Sequence, residues 1–149
     1  MRLFALGVTL CSFALTLAAA DDQDIARAKT VFEKYQALER AYDPDLADLY
    51  SDNARIENTR FDSAGKKESV AVPAADYKKL IRSAMPTVKA RGVRDEYSNV
   101  QFAKEERGIR IHCARLSTPS LESGTLSLLV GPVEGGEWKI LEEFSESKK

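Results

Sequence analysis

The fold is decided by residues 42–56, which read YDPDLADLYSDNARI. Asp43 is a good helix N-cap because its side chain can accept a hydrogen bond from the first turn, and Pro44 suits the first helical position. The apolar side of the resulting short helix consists of Leu46, Leu49 and Tyr50. Residues 51–53, Ser-Asp-Asn, are typical of a turn. The stretch therefore predicts a short helix, a turn and the start of a strand.

A long amphipathic helix is predicted directly before this stretch, over residues 24–42. Apolar side chains recur there at steps of three and four residues, at Ile25, Ala28, Val31, Phe32, Tyr35, Leu38 and Tyr42. This spacing places them on one stripe of a helix, which needs another surface to cover it. The dipeptide Asp43-Pro44 ends this helix and begins the next.

A β-hairpin and a third helix follow. Residues 54–61 and 66–72 have strand character, and the sequence Asp-Ser-Ala-Gly at 62–65 predicts the turn between them. Pro73 opens the third helix, whose helically spaced apolar positions are Ala74, Tyr77, Leu80, Ile81, Ala84 and Met85. Pro86 is predicted to kink or end this helix, because proline lacks the amide hydrogen that an interior turn needs.

The C-terminal half has a two-residue period interrupted by turn residues. We expect four strands there, over residues 94–104, 108–117, 124–131 and 137–144. Short connections between successive strands favour antiparallel pairing. A polar tail from Ser145 is expected to fray. The predicted order is α-α-β-β-α-β-β-β-β, an α+β domain in which three helices pack on the concave side of one strongly curved antiparallel sheet.

This element order, with residues 42–56 at its centre, resembles the nuclear transport factor 2-like superfamily, which includes SnoaL-like and ketosteroid isomerase-like proteins. The resemblance covers nearly all of the chain after residue 20. It implies a cystatin-like cone and a homodimer formed through the outer surface of the sheet. The superfamily contains enzymes, small-molecule binders and interaction modules, so the fold by itself does not fix an activity.

The N-terminus has the features of a cleaved export signal. Arg2 supplies a positive charge, residues 3–17 are almost entirely apolar, and Ala18-Ala19-Ala20 offers small side chains just before an acidic pair. The apolar run is shorter than the roughly 20 residues that span a bilayer, so no stable membrane anchor is expected. We therefore predict a signal peptide over residues 1–20 and one exported domain over 21–149, periplasmic or secreted.

Charge and cysteine content argue against several kinds of partner. The formal net charge of the 149-residue chain is −1 and its basic pairs are scattered, which argues against a nucleic-acid interface. Cys113 is the sole cysteine after residue 20, so we expect a buried, unreactive thiol, with an intermolecular disulfide as the alternative. Strand parity places His112 on the opposite face from Cys113, and neither a zinc site nor another cofactor is expected.

The resemblance identifies where ketosteroid isomerase chemistry would lie in this chain. Tyr35 matches the helical tyrosine that donates a hydrogen bond to the oxyanion in that branch. The catalytic base would fall on Asn58, whose amide cannot take up a proton at neutral pH. The second donor would fall on the strand that contains residues 126–128, Leu-Ser-Leu, which carry no carboxyl group. We therefore do not expect that chemistry here.

Glu142 is the residue that most suggests catalysis. It shares the two-residue period of Trp138, Ile140 and Phe144, so an inward-facing strand would point its carboxyl group into the cone. Burial without a partner would raise its pKa, which is how general acids arise. The alternatives are that the strand end twists Glu142 into solvent, or that Glu142 pairs with an arginine.

Three functions are compatible with these residues. The first is binding of a small apolar or amphipathic ligand in a concave pocket lined by Tyr35, Tyr50, Asn58, Trp138 and Glu142. The second is a metal-free SnoaL-like enzyme of isomerase, cyclase or hydrolase type that uses Glu142 as acid and base. The third is a homodimeric interaction module with a filled cavity, whose sheet face, including Arg110 and His112, binds a second subunit.

Overall fold

The computed structural model describes residues 13–148, with side chains from residue 21 onward. Its elements follow the predicted order. Their bounds are α1 Phe13–Ala41, a 3-10 helix Pro44–Leu49, β1 Tyr50–Phe61, β2 Lys67–Pro73, α2 Ala74–Ala90, β3 Arg94–Glu105, β4 Gly108–Thr118, β5 Glu122–Pro132 and β6 Trp138–Lys148. Residues 1–12 of the predicted signal peptide lie outside the described residues, and residues 13–20 form the start of α1.

The six strands form one sheet in the order β2-β1-β6-β5-β4-β3. Neighbouring strands are antiparallel except β1 and β6, which run parallel. The pairing differs at this one place from the predicted all-antiparallel sheet. About half of the chain, residues 62–137, separates β1 from β6, so no short connection constrains their relative direction.

The helices pack against one face of the sheet and bury a single core. The core consists of apolar side chains from the helices and from this concave face, chiefly Ala28, Phe32, Tyr35, Leu46, Leu49, Tyr50, Ile56, Ile81, Met85, Ile109, Ile111, Cys113, Leu126, Leu128, Val130 and Ile140. Strand parity on β4 is as predicted, because Ile111 and Cys113 are buried in this core while His112 is exposed on the opposite, convex face.

The stretch around Asp43 follows the predicted order, but its short helix is a 3-10 helix, and residues 51–53, predicted as a turn, belong to β1, whose pairing with β6 is irregular between Tyr50 and Arg55. Asp43 is the N-cap, and its carboxylate accepts a hydrogen bond from the Asp45 backbone N–H at 2.9 Å. Pro44 occupies the first turn. Only six residues separate Asp43 from Tyr50, the C-cap and first residue of β1, and 3-10 geometry is common in connectors of this length.

The third predicted helix, α2, continues through Pro86 and ends at Ala90, so of the two predicted effects of Pro86, a kink or an end, the end is wrong. Proline removes one interior hydrogen bond, but Ile81 and Met85 are buried in the core and hold this part of the helix in place. Gly92 follows at φ +64°, the left-handed conformation that commonly follows a helix.

β6 is longer than predicted and reaches Lys148. The expected frayed tail from Ser145 is wrong, because β1 and β5 pair with β6 on both sides up to this end. Ser145 is buried, and its hydroxyl accepts a hydrogen bond from the Asn58 side chain at 2.7 Å.

A β-bulge in β6 changes which side chains face the core. The partners of Ile140 and Glu142 on β5 are consecutive residues, so Leu141 is an extra residue on β6. The alternation therefore shifts by one position after Leu141. Ile140 and Glu143 contact the concave side, whereas Glu142 contacts side chains of the convex face.

Candidate functional site

Glu143 is the β6 carboxyl group that faces the interior of the cone. It is 3% exposed and accepts hydrogen bonds from the hydroxyl groups of Tyr50 and Tyr77, the latter at 2.7 Å. Burial raises the pKa of Glu143, and the two tyrosine hydrogen bonds and the positive charge of Arg115 oppose this rise. Residues from β1, α2 and β6 therefore meet at one buried carboxyl group.

The inward position of Glu142 is wrong and the alternative, pairing with arginine, is correct, because the bulge at Leu141 turns the side chain to the convex face. Glu142 accepts hydrogen bonds there from Arg107 and from Arg110, the latter at 2.6 Å. Partial burial raises the pKa of Glu142, but the two guanidinium groups outweigh this effect and hold the pKa below its usual value. Such a carboxyl group is ionised at neutral pH and is no general acid.

A second acid, Glu39 on α1, is partly buried on the same side of the sheet as Glu143. Both of its oxygens lie 2.9 Å from the Tyr97 hydroxyl, which donates its one hydrogen to this carboxyl group. Burial and the nearby charge of Asp95 raise the pKa of Glu39 to about 8, although the hydrogen bond from Tyr97 opposes the rise. The Glu39 carboxyl group therefore holds its proton at neutral pH.

Aromatic rings fill the interior where the pocket was expected. Tyr35 stacks on Phe32 with ring centroids 6.2 Å apart, and Tyr97 meets both rings edge-on. Tyr35 is 5% exposed, and burial raises the pKa of its hydroxyl well above the usual value. Tyr50 is likewise buried, and its ring meets that of Tyr77. These tyrosines form part of the core.

An open cleft of about 880 Å³ lies at the end of the sheet where β1 and β6 finish. Its basic side chains are Arg60, Lys66, Lys67 and Arg115, and its acidic ones are Asp62, Glu68 and Glu122. Asn58, Ser147 and the ring of Phe61 complete the lining. Asn58 is thus the one predicted pocket residue that contributes to this cleft. We call it the terminal cleft.

Arg115 connects the terminal cleft to these two acids, Glu39 and Glu143. It lies two residues beyond the core residue Cys113 on β4, so it projects from the concave face. Its guanidinium lies 3.7 Å from an Asp95 oxygen, and its positive charge acts on both Glu39 and Glu143. The sequence signal for Arg115 is its place in the alternation of β4, but arginine is usually exposed, so alternation alone does not indicate a site.

Trp138 lies at the opposite end of β6 and does not join the other predicted residues. It borders a separate cleft of about 470 Å³ beside the β3–β4 and β5–β6 turns. The Arg27 guanidinium lies 5.8 Å from the centre of its ring. The five predicted pocket residues therefore do not form one site: Tyr35 and Tyr50 are in the core, and Glu142 is on the convex face.

Two further properties concern only the part of the chain that the structure describes. Its histidine, cysteine, aspartate and glutamate side chains form no group of three or more that could hold a metal ion. None of its helices is both long enough and apolar enough to span a membrane.

Solved structures of other proteins have the same fold. A nuclear transport factor 2-like protein with a cystatin-like fold from Novosphingobium aromaticivorans is 11% identical, with a TM-score of 0.64 over 89% of this chain and 87% of its own. A dehydratase candidate of the nuclear transport factor 2-like family from Streptomyces avermitilis is 10% identical, with a TM-score of 0.62 over 85% of this chain and 97% of its own.

A third similar structure is the beta subunit of a candidate aromatic-ring-hydroxylating dioxygenase from Novosphingobium aromaticivorans. It is 8% identical, with a TM-score of 0.57 over 90% of this chain and 92% of its own. No protein-family model matches the sequence, and no curated protein matches it. The predicted fold class is confirmed: the chain has the cone-shaped, cystatin-like fold of the nuclear transport factor 2-like proteins.

Proposed function

We propose that this protein is an exported small-molecule binding domain whose ligand occupies the terminal cleft. The observation that carries the proposal is the cleft itself, about 880 Å³ in volume and therefore within the range of small-molecule sites. Its lining is mostly polar, with Phe61 as an apolar surface. An amphipathic ligand suits such a lining better than a purely apolar one.

Two observations favour binding over catalysis. Glu142, the acid on which a SnoaL-like mechanism was based, is on the convex face with a lowered pKa. Glu143 is on the correct face, but it is 3% exposed and both of its oxygens accept tyrosine hydrogen bonds. A substrate in the terminal cleft would not touch either carboxyl group, and general acid–base catalysis requires hydrogen-bond contact.

Native mass spectrometry of the protein purified from its own compartment tests the proposal. The wild type is expected to carry a small molecule of defined mass. Ser147→Trp places an indole on the cleft side of β6 and should remove that molecule. Glu146→Trp is the matched control, because its side chain lies on the opposite face of the same strand. Absence of any bound molecule from the wild type, or its retention by Ser147→Trp, would contradict the proposal.

The convex face supports a second candidate function, homodimerisation. The Arg55 and Arg110 guanidinium groups lie 5.0 and 5.6 Å from the centre of the Phe144 ring. Aromatic residues and arginines are enriched at protein interfaces. Glu57 and Glu142 add acidic groups near these arginines, so the face has charges of both signs and can pair with a second copy about a two-fold axis.

Sedimentation equilibrium tests the dimer. The wild type is expected to sediment as a dimer and Phe144→Ala as a monomer. Arg60→Ala, on the adjacent strand, should remain dimeric because the Arg60 side chain lies on the concave side, in the terminal cleft. A monomeric wild type, or a dimeric Phe144→Ala, would exclude this interface.

A further inference from the structure

Two arginines of the terminal cleft lie at the ends of one row of residues across the sheet. Arg60 on β1 pairs with Ser147 on β6, Ser147 pairs with Gly124 on β5, and Gly124 pairs with Arg115 on β4. Three strand spacings separate the two arginines, about 14 Å along a flat sheet and less on a concave one. Both arginines line the cleft.

The two residues between the arginines have small side chains or none, so the surface of the sheet between the arginines is open. Ser147 has a small hydroxyl side chain, and Gly124 has no side chain at all. A Cβ at position 124 would overlap the carbonyl oxygen of Glu146, so the local backbone accommodates only glycine. The two long side chains therefore flank a shallow floor that no other side chain in this row occupies.

Arg115 has hydrogen-bonding capacity that the protein leaves unused. Its side chain is 18% exposed, and Nη1 lies 3.7 Å from the nearest Asp95 oxygen, which is beyond hydrogen-bond distance. Nη2 donates one long bond of 3.4 Å to the Glu146 carbonyl oxygen. A guanidinium has five N–H donors, so the donors of Arg115 that reach the cleft are available to a ligand.

Arg60 has a similar reserve of donors. Among the described residues, its Nε donates to the Asn58 side-chain oxygen at 3.3 Å, and Asn58 in turn donates to the Ser145 hydroxyl. This chain of bonds orients the Arg60 guanidinium along the concave face of β1. Its two terminal nitrogens remain for a group in the cleft.

The charges nearby permit an anion at this position. The raised pKa values of Glu39 and Glu143 favour the neutral acids, so among these groups Asp95, 3.7 Å away, is the one that opposes the charge of Arg115. The lining of the cleft has four basic and three acidic side chains, so its formal charge is positive. The Asp62 carboxylate accepts hydrogen bonds from the backbone N–H groups of Ala64 and Lys66 in its own turn, which partly satisfies it. Arginine also suits planar oxyanions because it can donate two parallel bonds.

We infer that Arg60 and Arg115 bind an oxyanionic group, a carboxylate or a phosphate, of an amphipathic ligand that lies over Gly124 and Ser147. This inference rests on the proposed binding function and names the ligand class. The guanidinium groups hold the acidic head of the ligand. A neutral molecule of the same shape lacks the group that pairs with both arginines.

Isothermal titration of the full domain with octanoate, octyl phosphate and octan-1-ol tests this inference. At least one of the two anions should bind ten-fold or more tightly than the alcohol, and the comparison of the anions distinguishes carboxylate from phosphate. Arg115→Gln and Arg60→Gln should each lower the affinity for the preferred anion at least ten-fold. Arg115→Lys should give a smaller loss, because it keeps the charge but not the paired donors.

Arg55→Gln is the matched control on the same strand as Arg60. Its guanidinium lies over Phe144 on the convex face, so anion binding should be unchanged. Arg60 is exposed, which keeps its variant informative if Arg115→Gln folds poorly. Equal binding of anions and alcohol, no binding of any of the three compounds, or wild-type affinity in Arg60→Gln would overturn the inference. The proposed function is decided separately, by the molecule that Ser147→Trp loses or retains.

Discussion

Glu39 and Glu143 show how the same residue type is made neutral inside this cone and kept charged outside it. Both lie behind Arg115, accept hydrogen bonds from tyrosine hydroxyls and have raised pKa values because burial disfavours the carboxylate. Glu142, one residue away from Glu143, faces two arginines and has a lowered pKa. The environment of each carboxyl group, rather than its position in the sequence, decides its charge.

Glu39 should make stability depend on pH. Its pKa is about 8 in the folded protein and 4.5 in a solvated chain. Between these values the folded state holds one more proton than the unfolded state. The free energy of unfolding should therefore fall as pH rises through this window, by up to about 1.4 kcal/mol per pH unit, and level off above about pH 8. Urea unfolding at pH 6 and pH 9 measures the change.

Glu39→Gln is the control for this titration, because its amide can still accept the hydrogen bond from Tyr97 but has no proton to lose. Between pH 6 and pH 9 the variant should lose about 3 kcal/mol less stability than the wild type. Parallel pH profiles for the two proteins would show that Glu39 does not titrate in this range.

The Cys113 thiol should be inert in the native protein. It is 1% exposed, and burial raises its pKa to about 11, so almost no thiolate exists at neutral pH. We expect Ellman's reagent to modify Cys113 at pH 8 only after urea unfolds the chain. A chain without residues 1–20 should then show one reactive thiol. Rapid labelling of the native protein would contradict this burial.

At the scale of elements, the bulge in β6 explains why the acidic site could not be found from the sequence. The period of Trp138, Ile140 and Phe144 is real, but the extra residue Leu141 interrupts it. Glu142 and Glu143 have identical side chains, so polarity could not indicate which of them faces inward. The bulge becomes visible only when β6 is aligned with β5.

The bulge predicts unequal effects of two adjacent substitutions. Glu143→Leu leaves the hydroxyls of Tyr50 and Tyr77 without their acceptor in the core, which should cost about 2–5 kcal/mol. Glu142→Leu should cost less, about 1–2 kcal/mol, because Arg110 keeps its bond to Glu105 at 2.9 Å and the Arg107 side chain, which is 59% exposed, can be solvated. Urea unfolding of both variants measures the difference. A larger loss of stability in Glu142→Leu than in Glu143→Leu would show that Glu142, and not Glu143, faces the core.

At the scale of the whole molecule, patterns within one element could be predicted and contacts between elements could not. The stripe of α1, the cap at Asp43 and the alternation of β4 are local, and they are sufficient for the cone. The terminal cleft depends on the register of four strands, which brings Arg60 beside Ser147 and Arg115 beside Gly124. A single sequence contains no pattern from which the parallel pairing of β1 and β6, or this register, could be predicted.

Removal of the predicted signal peptide should leave the cone intact. The core residues that α1 contributes, among the side chains the structure describes, are Ala28, Phe32 and Tyr35, all beyond residue 20. Cleavage after Ala20 would place Asp21, Asp22 and Asp24 in the first turn of the helix, where negative charge interacts favourably with the helix dipole. Asp21 would also keep its ion pair with Lys104.

Intact-mass measurement of the protein recovered from the periplasm or culture medium should therefore give a chain that begins at Asp21. A chain made without residues 1–20 should unfold in one cooperative transition, whereas recovery of the unprocessed chain, or failure of the shortened chain to fold, would contradict this prediction.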